Sequence, residues 1–300
     1  MYLLNKMLNI IGNKYIFITI AVLMTMASIA SMAIFGFKPG IDFIGGTLWQ
    51  LKIETADIVS LRQLFIEDLK VKELTITEEP STNSFIIRLP ELDEKTHSQY
   101  LEVINKKFDN KTEELSYETI GPSVGKELRT KSAYAFFTVL LTISLYIAFA
   151  FRKVSQPIKS WKYGVITLVT LFHDALIPLG MLAFLGWWNG LEMSTNFIVA
   201  ILVVMGFSVH DTIVVFDRIR ENLKINKGGS FANLVNTSIN ETIARSINTS
   251  LTLVLVLIAL LLLGSASLQY FVLVILVGTI VGTYSSIFVA SPLLVLWSRQ

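Results

Sequence analysis

The chain has 300 residues, of which 53% are hydrophobic and 16% are charged, with a mean hydropathy of +0.60. This apolar share is too high for a soluble domain and predicts an integral membrane protein. The net charge of +2, without a zinc-ligand pattern or a glycine-rich phosphate loop, gives no indication of nucleic-acid binding. Without cysteine, the chain forms no disulfide, iron–sulfur cluster or catalytic thiol.

Six apolar runs are long enough to cross a bilayer as helices. They cover residues 15–37, 133–151, 165–187, 197–216, 247–263 and 268–297. The first run is longer than the core of a signal peptide and is not followed by an A-x-A-like site, so we expect it to be retained as a span. The sequence thus predicts a bundle of six membrane helices, five of them within residues 132–300.

The basic residues predict the orientation of this bundle. Twelve Lys and Arg residues lie outside residues 38–131, and all twelve fall on one side of the predicted spans. They are Lys6, Lys14, Arg152, Lys153, Lys159, Lys162, Arg218, Arg220, Lys224, Lys227, Arg245 and Arg299. The positive-inside rule makes that side cytoplasmic, with both termini, and places residues 38–131 outside.

The segment 38–131 is polar, with 13 basic and 17 acidic residues. Its pattern predicts strand 47–53, helix 60–69, strands 73–77 and 85–89 around a turn at 80–83, helix 95–108 and strand 115–120. That order is typical of a ferredoxin-like α+β domain. Its single histidine, His97, has no nucleophile paired with it in the sequence, and we interpret it as a solvated residue on a helix face.

Two glycine-containing segments connect this domain to the spans. The first is 40–47, with Gly40, Asp42, Gly45 and Gly46, and the second is 121–128, with Gly121 and Gly125. Glycine allows backbone turns that other residues avoid. Both segments are therefore predicted to be loops, or hinges between a mobile domain and a fixed bundle.

Ionisable residues inside the predicted spans are the first candidates for a functional site. His173 and Asp174 lie within the third span, and His210 and Asp211 lie within the fourth, where Ser208 precedes Asp211 by three positions. Such residues cost about 2.5 to 3.5 kcal/mol at the centre of a membrane helix and are usually functional. Asp211 is the leading candidate.

A polar stripe begins the fifth span. Arg245, Asn248, Thr249 and Thr252 recur at helical spacing, so they share one helix face. A stripe of this kind is expensive against lipid, and we expect it to face Asp211, and with it Asp174, inside the bundle. Alternating contact with Arg245 would let Asp211 bind and release a proton. The alternative is a static polar clamp between helices.

The last span carries small residues at every fourth position: Gly278, Gly282, Ser286 and Ala290. Small residues at this spacing let two membrane helices approach closely. We interpret this ridge as a packing surface.

Four motifs together resemble the SecF family, the smaller subunits of the SecDF accessory complex of bacterial protein export, which is related to the RND superfamily. They are the segment 40–47, the run 124–128, the pair His173-Asp174 and the run 210–222, His-Asp-Thr-Ile-Val-Val-Phe-Asp-Arg-Ile-Arg-Glu-Asn. The resemblance extends over nearly the whole chain and implies proton coupling through Asp211 and Arg245. It departs at His210, where other members carry asparagine.

The resemblance also implies the partners and the activity. The expected partners are a six-span SecD subunit, the SecYEG channel, the preprotein and, as a further candidate, YajC. The expected role is to use the proton-motive force in the bacterial cytoplasmic membrane to move external domains that complete preprotein export. The coupling ion is a proton, with sodium as the alternative, and we expect neither another cofactor nor enzymatic activity. A proton-driven small-molecule exporter and a static membrane scaffold remain as competing functions.

Overall fold

The computed structural model describes residues 8–79, 82–109, 111–152, 158–225, 229–264 and 266–298. Lys6, Lys153, Lys227 and Arg299, which contribute to the predicted orientation, and residues 80–81 of the predicted turn lie outside the described residues. The chain divides into two compact units, Met1–Lys38 with Tyr134–Gln300, and Pro39–Ala133. The boundaries of the second unit lie within two residues of the predicted segment 38–131.

Within the described ranges, six helical stretches are long and apolar enough to cross a membrane, as the sequence predicts. They are α1 (Lys14–Phe35), α5 (Pro122–Ala150), α6 (Ser160–Asn189), α7 (Thr195–Ile225), α8 (Phe231–Leu263), and α9 (Ala266–Ser285), which a wide turn (Ser286–Ala290) joins to α10 (Ser291–Trp297). Among the six spans, α6, α7 and the α9–α10 pair have the largest buried fractions. They therefore form the centre of the first unit.

Several of these helices continue beyond the apolar runs that predict them. Helix α5 begins at Pro122, and the prediction that 121–128 is a loop is therefore wrong. Proline is well suited to the first position of a helix, and an i, i+4 ion pair of 2.7 Å between Glu127 and Lys131 supports the polar first turns. Hydropathy detects only the part of a helix that meets hydrocarbon, so it misses such polar extensions.

The second unit contains a four-stranded antiparallel sheet in the order β2-β3-β1-β4. Its elements are α2 (Ile41–Ile44), β1 (Gly46–Ile53), α3 (Ile58–Gln63, extended by a wide turn Leu64–Asp68), β2 (Thr75–Glu79), β3 (Ser84–Leu89), α4 (Glu94–Lys107) and β4 (Thr112–Ile120). The predicted order of strands and helices is confirmed, with the second strand two residues later than predicted. Aspartates cap both helices: Asp57 accepts from the Ser60 amide and Asp93 from the Thr96 amide, each at 2.8 Å.

The core of this unit lies on one face of the sheet, under α3 and α4. Trp49, Leu51 and Ile87 of the strands are completely buried against Phe65 and Ile104 of the helical segments. Alternation along β1 places Trp49, Leu51 and Ile53 inward and the residues between them on the other face.

The prediction that His97 is solvated is wrong. Its side chain is 15% exposed, its ring lies 3.9 Å from the Tyr117 ring and 4.7 Å from the Trp49 ring, and its Nε2 is 2.8 Å from Glu114 Oε2. The Trp49 indole N–H donates to the same Glu114 oxygen at 2.8 Å. His97 precedes Tyr100, Leu101 and Ile104 of α4 by three, four and seven positions, so helical spacing places it on the face that covers the sheet.

The two glycine segments are also not open loops. Residues 41–44 form a helical turn, and Gly45 and Gly46 follow it with φ of +81° and +122°. A Cβ on Gly45 would lie 2.8 Å from the backbone of Pro122, and one on Gly125 would lie 2.9 Å from the Gly45 nitrogen. The predicted hinges therefore meet in one close-packed joint, where glycine is required both for conformation and for space.

Replacing Gly45 with alanine is expected to destabilise the second unit by about 2 to 4 kcal/mol, because strain at positive φ adds to a backbone clash. Gly36 provides a matched control: it has a similar conformation (φ +66°, ψ −172°), but a methyl group at this position would meet no neighbour within 4 Å. Gly36→Ala therefore introduces the backbone strain of a positive φ without a steric clash. Thermal unfolding of both variants tests this, and equal losses of stability would show that the joint is not close-packed.

Candidate functional site

Two carboxylates lie completely inside the membrane unit, at the centre of its packed helices. Asp174 of α6 has 0% of its surface exposed and Asp211 of α7 has 1%. The sequence predicts both as site residues, because placing a carboxylate inside a membrane helix costs free energy. Buried carboxylates need hydrogen-bond donors or a counter-charge, so their surroundings indicate what each one does.

Asp174 is fully satisfied by its neighbours. Its Oδ1 lies 2.8 Å from His173 Nδ1, and its Oδ2 accepts from the hydroxyls of Ser208 at 2.5 Å and Ser285 at 2.7 Å. These donors come from α6, α7 and α9. The carboxylate thus joins the three central helices through one hydrogen-bonded group.

The wide turn that follows α9 belongs to the same region. Ser286, its first residue, exchanges a hydrogen bond of 2.8 Å with the Thr212 hydroxyl and donates to the Ser208 carbonyl at 3.3 Å. The Ser291 hydroxyl donates to the Ser286 carbonyl five positions earlier. Wide turns of this kind within helices frequently occur at functional sites, because they redirect side chains and free carbonyl groups.

Asp211 is less completely satisfied than Asp174. Its Oδ2 accepts from the Ser250 hydroxyl of α8 at 3.1 Å, and Ser250 also bonds to the Thr283 hydroxyl of α9 at 2.6 Å. Its buried Oδ1 accepts no hydrogen bond from the described residues, and His210 Nδ1 lies 3.8 Å from it. Asp211 therefore retains one oxygen that can take up a proton or meet another donor.

The predicted inward orientation of the α8 stripe is wrong. Arg245, Asn248, Thr249 and Thr252 are exposed on the surface of this chain, whereas Ser246 and Ser250, on a different face of α8, are buried. Neighbouring residues in a helix point about 100° apart, so a shift of one position separates the two faces. The Ser250 hydroxyl of α8 therefore donates to Asp211, whereas Arg245 is exposed and can contact another molecule.

His210 lies on the outer side of α7. Its side chain is 62% exposed, while its Nδ1 lies 3.8 Å from Asp211 Oδ1. Like the stripe of α8, it exposes a polar side chain on a membrane helix. We call His210, Arg245, Asn248, Thr249 and Thr252 the outer polar face.

The small-residue ridge brings these helices together, as predicted. A Cβ on Gly278 would collide with the Val204 side chain of α7, and one on Gly282 would lie 2.7 Å from Ser208 Cβ. Ser286 and Ala290 continue the ridge and are buried. Gly282 therefore lets Ser208 approach α9 closely enough for Ser208 and Ser285 to share Asp174.

Four hydroxyl residues of the site were not singled out from the sequence: Ser246, Ser250, Thr283 and Ser285. A signal for them exists, because Ser246 and Ser250 are one helical turn apart, as are Thr279 and Thr283. In the described residues, no group of three His, Asp or Glu side chains is placed to hold a metal ion. What the arrangement offers chemically is a buried carboxylate among hydroxyl groups, a setting suited to binding a proton.

Comparison with known proteins decides the family. The model for the C-terminal part of protein export membrane proteins SecD/SecF matches residues 100–300, and the model for the SecD/SecF GG motif matches residues 30–57. The chain belongs to the SecD/SecF family. The GG motif match includes Gly45 and Gly46 of the close-packed joint, and the larger match includes both buried carboxylates.

Relatives within this family cover almost the entire chain. Protein translocase subunit SecF of Thermobaculum terrenum is 39% identical over 98% of this chain and 95% of its own length. Protein translocase subunit SecDF of Thermus thermophilus is 37% identical over 100% of this chain, which spans 40% of that longer protein. The crystal structure of SecDF from that organism, a translocon-associated membrane protein, superimposes with a TM-score of 0.83 at 37% identity.

Proposed function

We propose that this chain is the SecF-type subunit of a Sec protein translocase, which pairs with a SecD-type chain and uses the proton-motive force to complete preprotein export. In this proposal the proton binds at Asp211, and its binding and release shift the membrane helices. Movement of the external domain then draws the preprotein outward. The chain makes and breaks no covalent bond.

The observation that carries the proposal is the contrast between the two buried carboxylates. Asp174 has three donors from three helices, so it is suited to a fixed role. Asp211 accepts from the Ser250 hydroxyl, with the Thr283 hydroxyl beside it, and its buried Oδ1 has no hydrogen-bond partner among the described residues, so protonation of Oδ1 breaks no existing hydrogen bond. Only a group that changes its ionisation can convert a proton gradient into a change of conformation.

The outer polar face supports a membrane partner. Polar and charged side chains on a membrane helix are costly against lipid and are covered by protein or water. The name of one relative indicates which protein could cover this face. The Thermus thermophilus relative is a SecDF protein more than twice as long, in which the region similar to this chain is 40% of the whole. We place the SecD-type chain against the outer polar face, where Arg245 would lie at the contact between the two chains and could approach the free oxygen of Asp211.

The proposal assigns the moving part to residues 39–133, a ferredoxin-like domain outside the cytoplasmic membrane, with both termini of the chain in the cytoplasm. The strand order β2-β3-β1-β4 and the alternation of strands and helices support that fold. Two SecDF structures match nearly the whole chain at 37% and 36% identity but with TM-scores of 0.83 and 0.68. The second of these structures is described as a super-membrane-facing form of SecDF, and a named form of that protein supports a moving domain.

The energy available is sufficient for such a motion. One proton that crosses the membrane releases about 2.3 kcal/mol per 100 mV, which changes a conformational equilibrium by a factor of roughly 50. The other participants follow from the assignment to the Sec pathway: the SecYEG channel, the preprotein and, as an additional membrane partner, YajC. We propose the proton as coupling ion, and a sodium gradient is the alternative that the experiment separates.

The test is preprotein translocation into inverted membrane vesicles that contain this chain and its SecD-type partner. After the ATP-driven step has been completed, the proton gradient alone is collapsed with a protonophore while a sodium gradient is maintained. The proposal predicts that completion of export stops. Unchanged completion would refute proton coupling, and a loss only when the sodium gradient is removed would assign sodium instead.

A further inference from the structure

Two neighbouring rings between α6 and α9 each carry a buried polar atom that makes no hydrogen bond. The atoms are Nε2 of His173 and the hydroxyl oxygen of Tyr284, and neither has a partner among the described residues. The ring centroids are 5.9 Å apart, and the ring planes are inclined at 49°. Leaving a buried polar group without a partner costs free energy, so two such atoms on adjacent rings require an explanation.

The two atoms are chemically complementary. His173 Nδ1 lies 2.8 Å from Asp174, which also accepts from two serine hydroxyls, so the imidazole donates through Nδ1. Nε2 of the neutral ring is then an acceptor, for which the Tyr284 hydroxyl is a suitable donor, and in the imidazolium the roles reverse. The Tyr284 hydroxyl is also close enough to Asp174 to be affected by its charge. One hydrogen bond between the rings would satisfy both atoms.

Tyr284 belongs to a run of four consecutive polar residues, 283–286, at the end of α9. The other three bond to the groups around the two buried carboxylates: Thr283 to Ser250 at 2.6 Å, Ser285 to Asp174 at 2.7 Å and Ser286 to Thr212 at 2.8 Å. Among the described residues, Tyr284 is the member of this run whose hydroxyl has no partner. The run thus connects both carboxylates, with one hydroxyl held in reserve.

The helix can rearrange at this run. The wide turn Ser286–Ala290 begins directly after Ser285, and Pro292 follows shortly after its end. Proline has no N–H group, so the helix lacks one backbone hydrogen bond there. Moving a wide turn by one residue exchanges backbone hydrogen bonds of one kind for the other and turns the residues that it passes by about 100° around the helix axis.

We propose that Tyr284 is a positioning residue with a second conformation, in which its hydroxyl is hydrogen-bonded to His173 Nε2. The wide turn moves by one residue towards the middle of α9, and the run 283–286 turns with it. The two atoms that have no partner in this structure then satisfy each other. Their hydrogen bond offsets the bonds that the run gives up.

The same rotation changes the surroundings of both carboxylates together. Ser285 leaves Asp174, and Thr283 leaves Ser250, whose hydroxyl donates to Asp211. Protonation of Asp211 alters that pair of hydroxyls and is the trigger for the change. The trigger rests on the proposed function, whereas the hydrogen bond between Tyr284 and His173 does not.

The experiment follows the imidazole nitrogens of this chain by solid-state NMR, in the complex with its unlabelled SecD-type partner in lipid bilayers. The chain has three histidines, and His173→Phe identifies the resonances of His173. The ¹⁵N shift of Nε2 distinguishes a hydrogen-bonded nitrogen from one without a partner. Asp211→Asn keeps position 211 neutral, as in the protonated form, and we expect it to increase the hydrogen-bonded Nε2 resonance above its wild-type intensity.

Tyr284→Phe locates the partner of that nitrogen. In the Asp211→Asn background it is expected to remove the hydrogen-bonded resonance, whereas Tyr134→Phe, the same change at a 69% exposed tyrosine of α5, leaves it unchanged. On its own, Tyr284→Phe is expected to reduce gradient-dependent export about fivefold, the effect of one hydrogen bond present only in the second conformation.

Two results would overturn the inference: the same Nε2 resonance in wild type and Asp211→Asn, or a hydrogen-bonded resonance that persists in Tyr284→Phe. If Asp211→Asn loses gradient-dependent export while the His173 resonance stays the same, this inference fails and the proposed function stands. If Asp211→Asn exports as wild type, the proposed function fails, and a resonance that depends on Tyr284 still supports the hydrogen bond.

Discussion

Asp211→Asn is expected to abolish the part of preprotein export that depends on the proton gradient while leaving the ATP-driven part intact. The amide keeps an oxygen for the Ser250 hydroxyl at the position of Oδ2 but cannot ionise. Loss of one coupled proton removes about 2.3 kcal/mol per 100 mV of driving energy, a factor of roughly 50 in the conformational equilibrium. Export into vesicles, with and without the gradient, measures the effect.

The same variant should fold and pair normally, because it retains the hydrogen bond and the volume of the side chain. Its thermal stability is expected to remain within about 1 kcal/mol of wild type. Asp68→Asn, the same chemical change at a carboxylate with a 52% exposed side chain in the second unit, provides the control and should export at the wild-type rate. Gradient-dependent export by Asp211→Asn at the wild-type level would show that this carboxylate is a static clamp.

Asp174→Ala is expected to reduce stability, in contrast to Asp211→Asn. The change leaves His173, Ser208 and Ser285 without their shared acceptor in the centre of the bundle. Hydrogen bonds between membrane helices contribute about 0.6 kcal/mol each on average, and unsatisfied buried donors add to the loss, so the expected total is about 2 to 4 kcal/mol. Thermal unfolding of the purified protein in detergent measures this loss.

Two further variants test whether the network acts as a unit. Ser285→Ala removes one donor and should cost only about 0.6 kcal/mol. Gly282→Ala places a methyl group against Ser208 and should approach the effect of Asp174→Ala, while Gly206→Ala, which meets no atom within 4 Å, should be nearly neutral. If Asp174→Ala were as stable as wild type, the three hydrogen bonds would not hold the central helices together.

The number of spans and the order of elements in the soluble unit could be predicted because each depends on local patterning. Runs of apolar residues predicted the six helices, and alternation around Trp49 predicted the first strand. The burial of Asp174 and Asp211 could likewise be predicted, since a carboxylate in a span must avoid lipid. The spacing of Gly278 and Gly282 predicted a close helix contact, and the structure shows that the neighbour is α7.

What could not be predicted depends on which neighbour covers a surface. The cost of a polar stripe shows that Arg245 must avoid lipid, but it does not distinguish the interior of this chain from a second chain. Ser246 and Ser250 already fill the inner face of α8, a fact that only packing reveals. Similarly, the joint between Gly45 and Gly125 joins segments about 80 positions apart, and local glycine content could only indicate turns.

The central claim is that Asp211 changes its protonation during function. Infrared difference spectroscopy of the complex with its SecD-type partner tests it directly, by following the carbonyl band of protonated carboxyl groups as the pH is changed across the membrane in reconstituted vesicles. We predict a band that appears in wild type and Asp174→Asn and is missing in Asp211→Asn. Identical difference spectra for wild type and Asp211→Asn would contradict the account.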